Sequence, residues 1–240
     1  MLYAVSAFLV ALIGGVWVYL SYFNAPPSCI DRKQNQGENG IDCGGPCLSI
    51  CSTEAKEPAV LWARPFMVGT SSVTAAAYIQ NTNPGAGARA VRYTFRLYDK
   101  NNDLVVERDG VMDLPPVTTV PIIETGITIG YRPPVRAQFS FHGTVEWTKI
   151  LAGDMPSLSI SNESLSSDGT RLSATITNNS FVDAPNVTVA AVLFDARDVA
   201  LAASKTILSV DQKSSAPVVF TWPTPTIGVT HAEITVLPAI

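Results

Sequence analysis

Two kinds of hydrophobic pattern divide the chain. Residues 1–23 form one continuous apolar run that contains no charged side chain. About 20 apolar residues suffice to cross the hydrocarbon core of a bilayer, so this run predicts a transmembrane helix. The run is longer than the apolar part of a secretory signal peptide, and no Lys or Arg precedes it. Both features favour an anchor that is not cleaved.

After Pro58 the pattern changes to short stretches in which apolar and polar residues alternate, as in β-strands with one buried face. The stretches VRYTFRLYD (91–99) and VTVAAVLFD (187–195) both alternate in this way. Each ends in Leu, an aromatic residue and Asp, and each is followed by a polar turn and a second apolar stretch. The sequence therefore predicts one hairpin that occurs twice, at a spacing of 96 residues.

The repeat extends upstream of the hairpins. AAAYIQNTN (75–83) aligns with LSATITNNS (172–180) at a spacing of 97 residues, which places Asn81 on Asn178. Two copies of about seven strands each suit antiparallel sandwiches, which bury one face of each sheet. The predicted fold is all-β, with tandem sandwiches at 58–150 and 151–240 joined through residues 151–157. They follow the transmembrane helix and a Cys-rich stalk at 24–57.

All four cysteines lie in that stalk. A polar stretch of this length cannot bury a core of its own, and disulfides are the usual remedy outside the cytoplasm. Closing a loop of about 15 residues contributes about 3 kcal/mol in the chain-entropy description. Four cysteines allow three pairings, and the sequence leaves all three open. The predicted disulfide residues are Cys29, Cys43, Cys47 and Cys51.

Metal binding is the alternative use of the stalk. A zinc site would need the thiols free, and would place the body of the protein in the cytoplasm. Calcium would use side-chain oxygens and is compatible with disulfides, although the acidic spacing does not follow an EF-hand loop. No cofactor is predicted. The weak calcium candidates are Asp31, Asn35, Glu38 and Asp42.

Two motifs resemble known families. FRLYD (95–99) resembles the naming motif of the FxLYD-type immunoglobulin-like domains of bacterial envelope proteins, and AVLFD (191–195) is a looser copy. CIDRKQNQGENGIDCGGPC (29–47) is similar to the C-x-D-G-x-Q-N-x-x-E-x-x-x-D-C-G-G-x-C element of extracellular bacterial proteins, with Arg32 in place of the usual Gly. The resemblance implies immunoglobulin-like sandwiches and a non-enzymatic protein on the extracytoplasmic side of a bacterial envelope. It implies no particular ligand.

Charge and histidine content exclude several functions. The net charge is −4, and no segment has the basic excess that phosphate-backbone binding needs, so nucleic acid is not a predicted partner. The chain has only two histidines, His142 and His231, one in each predicted sandwich. A hydrolytic triad needs its three groups close together, so the sequence does not predict an enzyme.

One strand invites a binding hypothesis. Arg92, Arg96 and Tyr98 share the outward side of the strand at 91–99, and Arg89 precedes them. Protein interfaces favour Arg and Tyr, so we predict a protein partner here, in addition to the membrane that holds the helix. The outward side of the equivalent strand in the second copy shows Thr, Ala and Val instead, which assigns the role to the first sandwich. A surface adhesin that binds glycans or another ligand, with calcium in the stalk, is the alternative function.

Overall fold

The computed structural model describes residues 2–23, 26–116, 118–151, 153 and 155–240, without the side chains of residues 2, 4 and 21–23. The chain separates into two compact units, one ending at Cys51 and one running from Ser52 to Ile240. Of the joint predicted at 151–157, Ala152 and Asp154 lie outside the described residues.

The N-terminal apolar run forms a single helix, α1 (Leu2–Phe23), which is 22 residues long. No acidic residue lies in its first turn and no basic residue lies in its last turn. Counting only described residues, we find no helix that is both long and apolar enough to span a membrane. The transmembrane assignment of residues 1–23 therefore stays a prediction.

Strands make up most of the second unit, and the all-β prediction is confirmed. The first seven described strands form what we call the first repeat, and the next six form the second repeat. In the first repeat they are β1 (Ala59–Val68), β2 (Ser72–Asn81), β3 (Ala86–Tyr98), β4 (Leu104–Leu114), β5 (Thr118–Thr128), β6 (Arg136–Phe141) and β7 (Thr148–Lys149). In the second they are β8 (Leu158–Leu165), β9 (Arg171–Asn178), β10 (Ala184–Phe194), β11 (Ala200–Val210), β12 (Ser215–Thr221) and β13 (His231–Leu237).

The two repeats have the same strand order. The first repeat pairs its strands as β1-β2-β5 and β4-β3-β6, with β7 added to β3. The second repeat pairs them as β8-β9-β12 and β11-β10-β13, which is the same order strand for strand. All these pairs are antiparallel. Each hairpin predicted from the sequence is present, as β3–β4 and β10–β11.

The repeat also holds in the hydrogen-bonding register. Arg96 lies opposite Glu107, and 96 residues further on Val192 lies opposite Ala203. A β-bulge precedes Val91 on β3, and the same bulge occurs at the equivalent place on β10. The spacing of 96 residues seen in the sequence is therefore an equivalence of backbone positions.

One buried asparagine closes the same loop in each repeat. The Nδ2 group of Asn81 donates to the carbonyl oxygens of Ala86 and Pro115, both at 2.8 Å. Asn178 Nδ2 donates in the same way to a carbonyl four residues on at 2.8 Å and to Val210 O at 3.1 Å. Each Oδ1 accepts the backbone N–H two residues on. Buried carbonyls need such donors, so these asparagines are structural.

The aspartate of each Leu-aromatic-Asp motif caps its hairpin. Asp99 Oδ1 accepts the backbone N–H groups of the residues two and four positions on, both at 3.0 Å. Asp195 Oδ1 accepts the equivalent pair at 2.8 and 2.9 Å. Asp is favoured in turns because its short carboxylate reaches these amides. The Asp of each motif therefore stabilises the turn of its hairpin.

The two repeats pack against each other through sheet faces. Ala190, Val192 and Phe194 point out of the second repeat and join a buried apolar cluster with the outward side of β1-β2-β5. Tyr78 is the central contact, because its ring meets Phe194 edge-on and its hydroxyl donates to Glu233 Oε2 at 3.0 Å. The outer faces of β1-β2-β5 and β11-β10-β13 thus form the inter-repeat interface.

Candidate functional site

The outer face of the β4-β3-β6 sheet carries the residues singled out by the sequence. Arg92 is exposed and Arg96 and Tyr98 are half-buried, while Tyr93, Phe95 and Leu97 alternate with them and point into the core. Arg89 is exposed as well, but it lies in the bulge before Val91. We call the outward side chains of these strands the arginine face: Arg92, Thr94, Arg96, Tyr98, Glu107, Asp109, Val111, Arg136, Gln138 and Ser140.

Cross-strand partners hold the side chains of this face. Arg96 Nε lies 2.5 Å from Glu107 Oε1, and the Tyr98 hydroxyl donates to Gln138 Oε1 at 3.2 Å. The guanidinium of Arg136 lies 4.1 Å from the centroid of the Tyr98 ring, a cation–π contact. Sequence reasoning missed these three partners. The partner Glu107 could have been predicted from the sequence, because the turn length of the β3–β4 hairpin fixes which residue lies opposite Arg96.

A polar cluster lies at one end of the face. The buried hydroxyl of Thr94 donates to Asp109 Oδ1 at 2.5 Å and contacts His142 Nε2. Its single hydrogen is used on Asp109, so its oxygen accepts from His142 Nε2–H. The contacts of Thr94 with Asp109 and His142 thus fix the orientation of these side chains at the end of the face.

An open cavity of about 300 Å³ adjoins this cluster. Arg92, Asp109, Val111 and His142 are among its lining residues. The described surface thus combines a free guanidinium, a carboxylate and an imidazole beside an exposed aliphatic side chain. Such a mixture suits polar and charged groups of another protein better than a single-sign ligand.

A buried carboxylate ties the repeats together on another side. Glu124 on β5 is only 8% exposed, and its oxygens accept from Tyr93 at 2.8 Å, Arg108 at 3.0 Å and Lys205 of the second repeat at 3.1 Å. Burial disfavours the charged carboxylate, but these donors and cations outweigh it and lower the pKa of Glu124. Burial beside this charge raises the pKa of Tyr93. No local sequence pattern pointed to this group.

The cysteine stalk contains two disulfides, which confirms that part of the prediction. Cys29 pairs with Cys47 and Cys43 pairs with Cys51, with Cα–Cα distances of 5.6 and 5.0 Å. This selects one of the three pairings that the sequence allowed. No free cysteine occurs in the described chain.

Glu38 forms the centre of the stalk. The side chain is 6% exposed, and its Oε2 accepts the backbone N–H groups of Asn35 at 3.2 Å and Asp42 at 3.3 Å. Its Oε1 accepts from Gln36 Nε2 at 3.4 Å and lies 3.0 Å from the Cys47 sulfur. A carboxylate with this many local contacts acts as a scaffold for the surrounding turns.

The two aspartates among the calcium candidates are used in the same way. Asp31 accepts the backbone N–H of Lys33 at 2.9 Å and Asn35 Nδ2 at 2.7 Å, and the Asn35 bond is the main reason its pKa is lowered. Both oxygens of Asp42 accept the N–H of Arg32, at 3.1 and 3.0 Å. Asp31, Glu38 and Asp42 thus accept N–H donors in one hydrogen-bonded network, whereas the buried Oδ1 of Asn35 has no hydrogen-bond partner among the described residues.

One group of potential metal ligands appears in the part of the chain that the structure describes. Cys29, Glu38 and Cys47 have ligand atoms within 4.8 Å of one another. Two of the three are joined in a disulfide, and the thiolate is the form of cysteine that binds metals. In this oxidised form the group offers one carboxylate.

The backbone at Arg32 adopts a conformation that favours glycine, the residue usual at this place in the element that residues 29–47 resemble. Its φ is +61°, in the left-handed region that non-glycine residues rarely adopt. Gly45 shows the same constraint more strongly: its φ is +52° and an added Cβ would lie 2.1 Å from Gly37 O. The glycines of the element therefore serve its turns.

Of the predicted site residues, the structure thus brings together Arg92, Arg96 and Tyr98 in one face, and the four cysteines with their acidic neighbours in another place. No family model matches the chain, and the search of curated proteins found no significant match.

Proposed function

We propose that the chain is a non-enzymatic, membrane-anchored protein of the bacterial cell envelope that holds a protein partner on the arginine face. The proposal assigns residues 1–23 to the anchor, residues 24–57 to a stalk, and the two repeats to immunoglobulin-like sandwiches. In this role the chain connects the partner protein to the membrane.

One observation carries the choice of face. The equivalent face of the second repeat, around Val192, is buried against a β-sheet of the first repeat. The same strand arrangement therefore has a protein-binding use within this molecule. On the first repeat the face is exposed and carries Arg and Tyr, which provide large contacts at interfaces.

The extracytoplasmic location is supported by the two disulfides, because thiols stay reduced in the cytoplasm of most bacteria. The resemblance of residues 29–47 to an extracellular element agrees with this location. The anchor is supported by the uncharged sequence of residues 1–23 and by the helix that it forms.

Site-specific photo-cross-linking in native membranes tests the partner. A photoreactive residue at Val111, opposite Arg92, should capture one defined protein. The control position is Ile227, an equally apolar and 93% exposed residue away from the face. We expect the product from position 111 alone, and its loss with Arg92→Glu/Arg96→Glu. The same product from position 227, or from the charge-reversed protein, would contradict the choice of face.

Two measurements test the location. Alkaline carbonate should leave the full chain in the membrane fraction, as expected for an inserted helix. A membrane-impermeant maleimide should label the cysteines of intact cells or spheroplasts only after reduction. Extraction by carbonate would refute the anchor, and labelling without reduction would refute the oxidised stalk.

A further inference from the structure

The inter-repeat interface shows which two sheet faces of this fold bind each other. One is the outer face of the β11-β10-β13 sheet, and the other is the outer face of β1-β2-β5. Each repeat contains both kinds of sheet, and each kind is used once within the chain. The described repeats therefore leave one face of each kind unburied.

The two remaining faces lie on different repeats. The first is the arginine face. The second is the outer side of β8-β9-β12, where Ser173 and Thr175 occupy the places that Ala76 and Tyr78 hold in β1-β2-β5. Val219 takes the place of Ile123 and is 44% exposed. We call Ser173, Thr175, Thr177, Pro217 and Val219 the hydroxyl face.

The charges of the two repeats are complementary. Residues 58–150 carry nine Lys and Arg against seven Asp and Glu, a net charge of +2. Residues 151–240 carry four against eight, a net charge of −4. A first repeat therefore attracts the second repeat of another copy, whereas two like repeats repel each other.

We propose that the arginine face of one copy binds the hydroxyl face of a second copy, so that copies join head to tail. This rests on the proposed function, because it names the partner of the same arginine face. The contact reuses the pair of sheet faces that already join the repeats. Because the two faces differ, the contact is heterologous and does not close on itself, which gives open chains of copies.

Sedimentation of the full chain in mild detergent tests the association. We expect the average mass to rise with concentration, and to fall as added salt screens the charges. Arg92→Glu/Arg96→Glu should weaken the association about tenfold or more. Lys33→Glu/Lys100→Glu makes the same change of charge at exposed positions outside the arginine face and should leave it unchanged. A mass that stays monomeric at all concentrations would overturn the proposal.

A second variant controls for a loss of stability in Arg92→Glu/Arg96→Glu. Arg96→Glu places two carboxylates opposite each other, because Glu107 is its cross-strand partner. Arg89→Glu/Arg92→Glu keeps the Arg96–Glu107 pair intact and changes the charge of this region equally. It should also weaken the association, and an unchanged association in this variant would contradict the role of the face.

Mixing distinguishes head-to-tail contact from a symmetric dimer. Thr175→Arg/Val219→Arg puts cations on the hydroxyl face and should abolish self-association. This variant keeps an intact arginine face, and Arg92→Ala/Arg96→Ala, which adds no charge that could attract the new arginines, keeps an intact hydroxyl face. An equimolar mixture should therefore give a one-to-one dimer and nothing larger. A mixture that remains monomeric would overturn the pairing of these two faces.

The outcomes also separate this inference from the proposed function. If position 111 cross-links to another envelope protein while the full chain stays monomeric, the arginine face is a binding site and the second copy is the wrong partner. If neither the cross-link nor the association is found, both proposals fail.

Discussion

The same two strands carry opposite chemistry in the two repeats. In the first repeat Arg96 and Glu107 form an ion pair at the surface, whereas Val192 and Ala203 occupy the same register in the second repeat and are buried. The backbone positions are equivalent, so the fold itself does not decide which face meets water. The outward side chains decide which face is buried within the chain: Val192 and Ala203 bury apolar surface there, whereas packing the Arg96–Glu107 pair into a permanent core would cost several kcal/mol in desolvation.

What the repeats share lies at the level of the backbone. Asn81 and Asn178 satisfy the same buried carbonyls, and Asp99 and Asp195 cap the same turns. These four side chains are needed by the loops whatever the outer faces do. The Asn and Asp side chains therefore maintain the sandwich in both repeats. The outward side chains of the strands differ between the repeats and determine what each face contacts.

The largest expected effect comes from giving the buried face the chemistry of the exposed one. Val192→Arg places an unpaired guanidinium in the inter-repeat interface and should lower the free energy of unfolding by about 4 kcal/mol. Val219→Arg puts the same side chain on an exposed strand position and should change it by less than about 0.5 kcal/mol. Guanidinium unfolding without reductant measures both. Equal losses would remove the distinction between the two faces.

The buried asparagines should be equally important in both repeats. Asn81→Ala and Asn178→Ala each remove the two hydrogen bonds that the buried amide donates to backbone carbonyls and should cost about 3 kcal/mol. Asn179→Ala, beside the second position but exposed, is the matched control. Thermal unfolding of the three variants tests the equivalence. A large loss at only one of the two buried positions would show that the loops are not equivalent.

The carboxylate of Glu124 should make the junction between the repeats sensitive to acid. Its pKa is lowered in the folded protein, so its contribution is present above the ordinary value of 4.5 and is lost as the pH falls through the folded pKa. Glu124→Gln should cost about 2 kcal/mol at pH 7, because it weakens the bonds to Arg108 and Lys205. Unfolding measured from pH 7 to pH 3 should show a shallower acid dependence in the variant. If the free energy of unfolding depends on pH equally in both proteins, Glu124 does not contribute to the acid sensitivity.

The smallest effect concerns the shared bulge. Ala90 and Asn186 both have φ of +52°, but only asparagine tolerates this conformation well. Ala90→Gly should therefore raise the free energy of unfolding by about 1 kcal/mol. Ala88→Gly, two residues earlier and without positive φ, should instead lower it by a similar amount. If both substitutions destabilise the protein, strain at Ala90 is absent.

The local pattern of the sequence was sufficient to predict several features of the fold. Alternation identified the strands, and two Leu-aromatic-Asp motifs located both β3–β4 and β10–β11. The turn chemistry of Asp and the spacing of 96 residues are local properties, so neither needs knowledge of the tertiary structure. The concentration of cysteine in a short polar stretch was likewise enough to predict disulfides, and α1 coincides with the uncharged run.

Only the tertiary structure decided which residues meet. Alternation identifies an outward face but not whether water or another sheet covers it, so the burial of Val192 had no local signal. The pairing of Cys29 with Cys47, the network of Glu124 and the partners of Tyr98 also join distant positions. The sequence by itself determined the repeated strands and their turns, because these depend on neighbouring residues. The tertiary structure determined which faces are buried and which are free, because that depends on how the repeats pack.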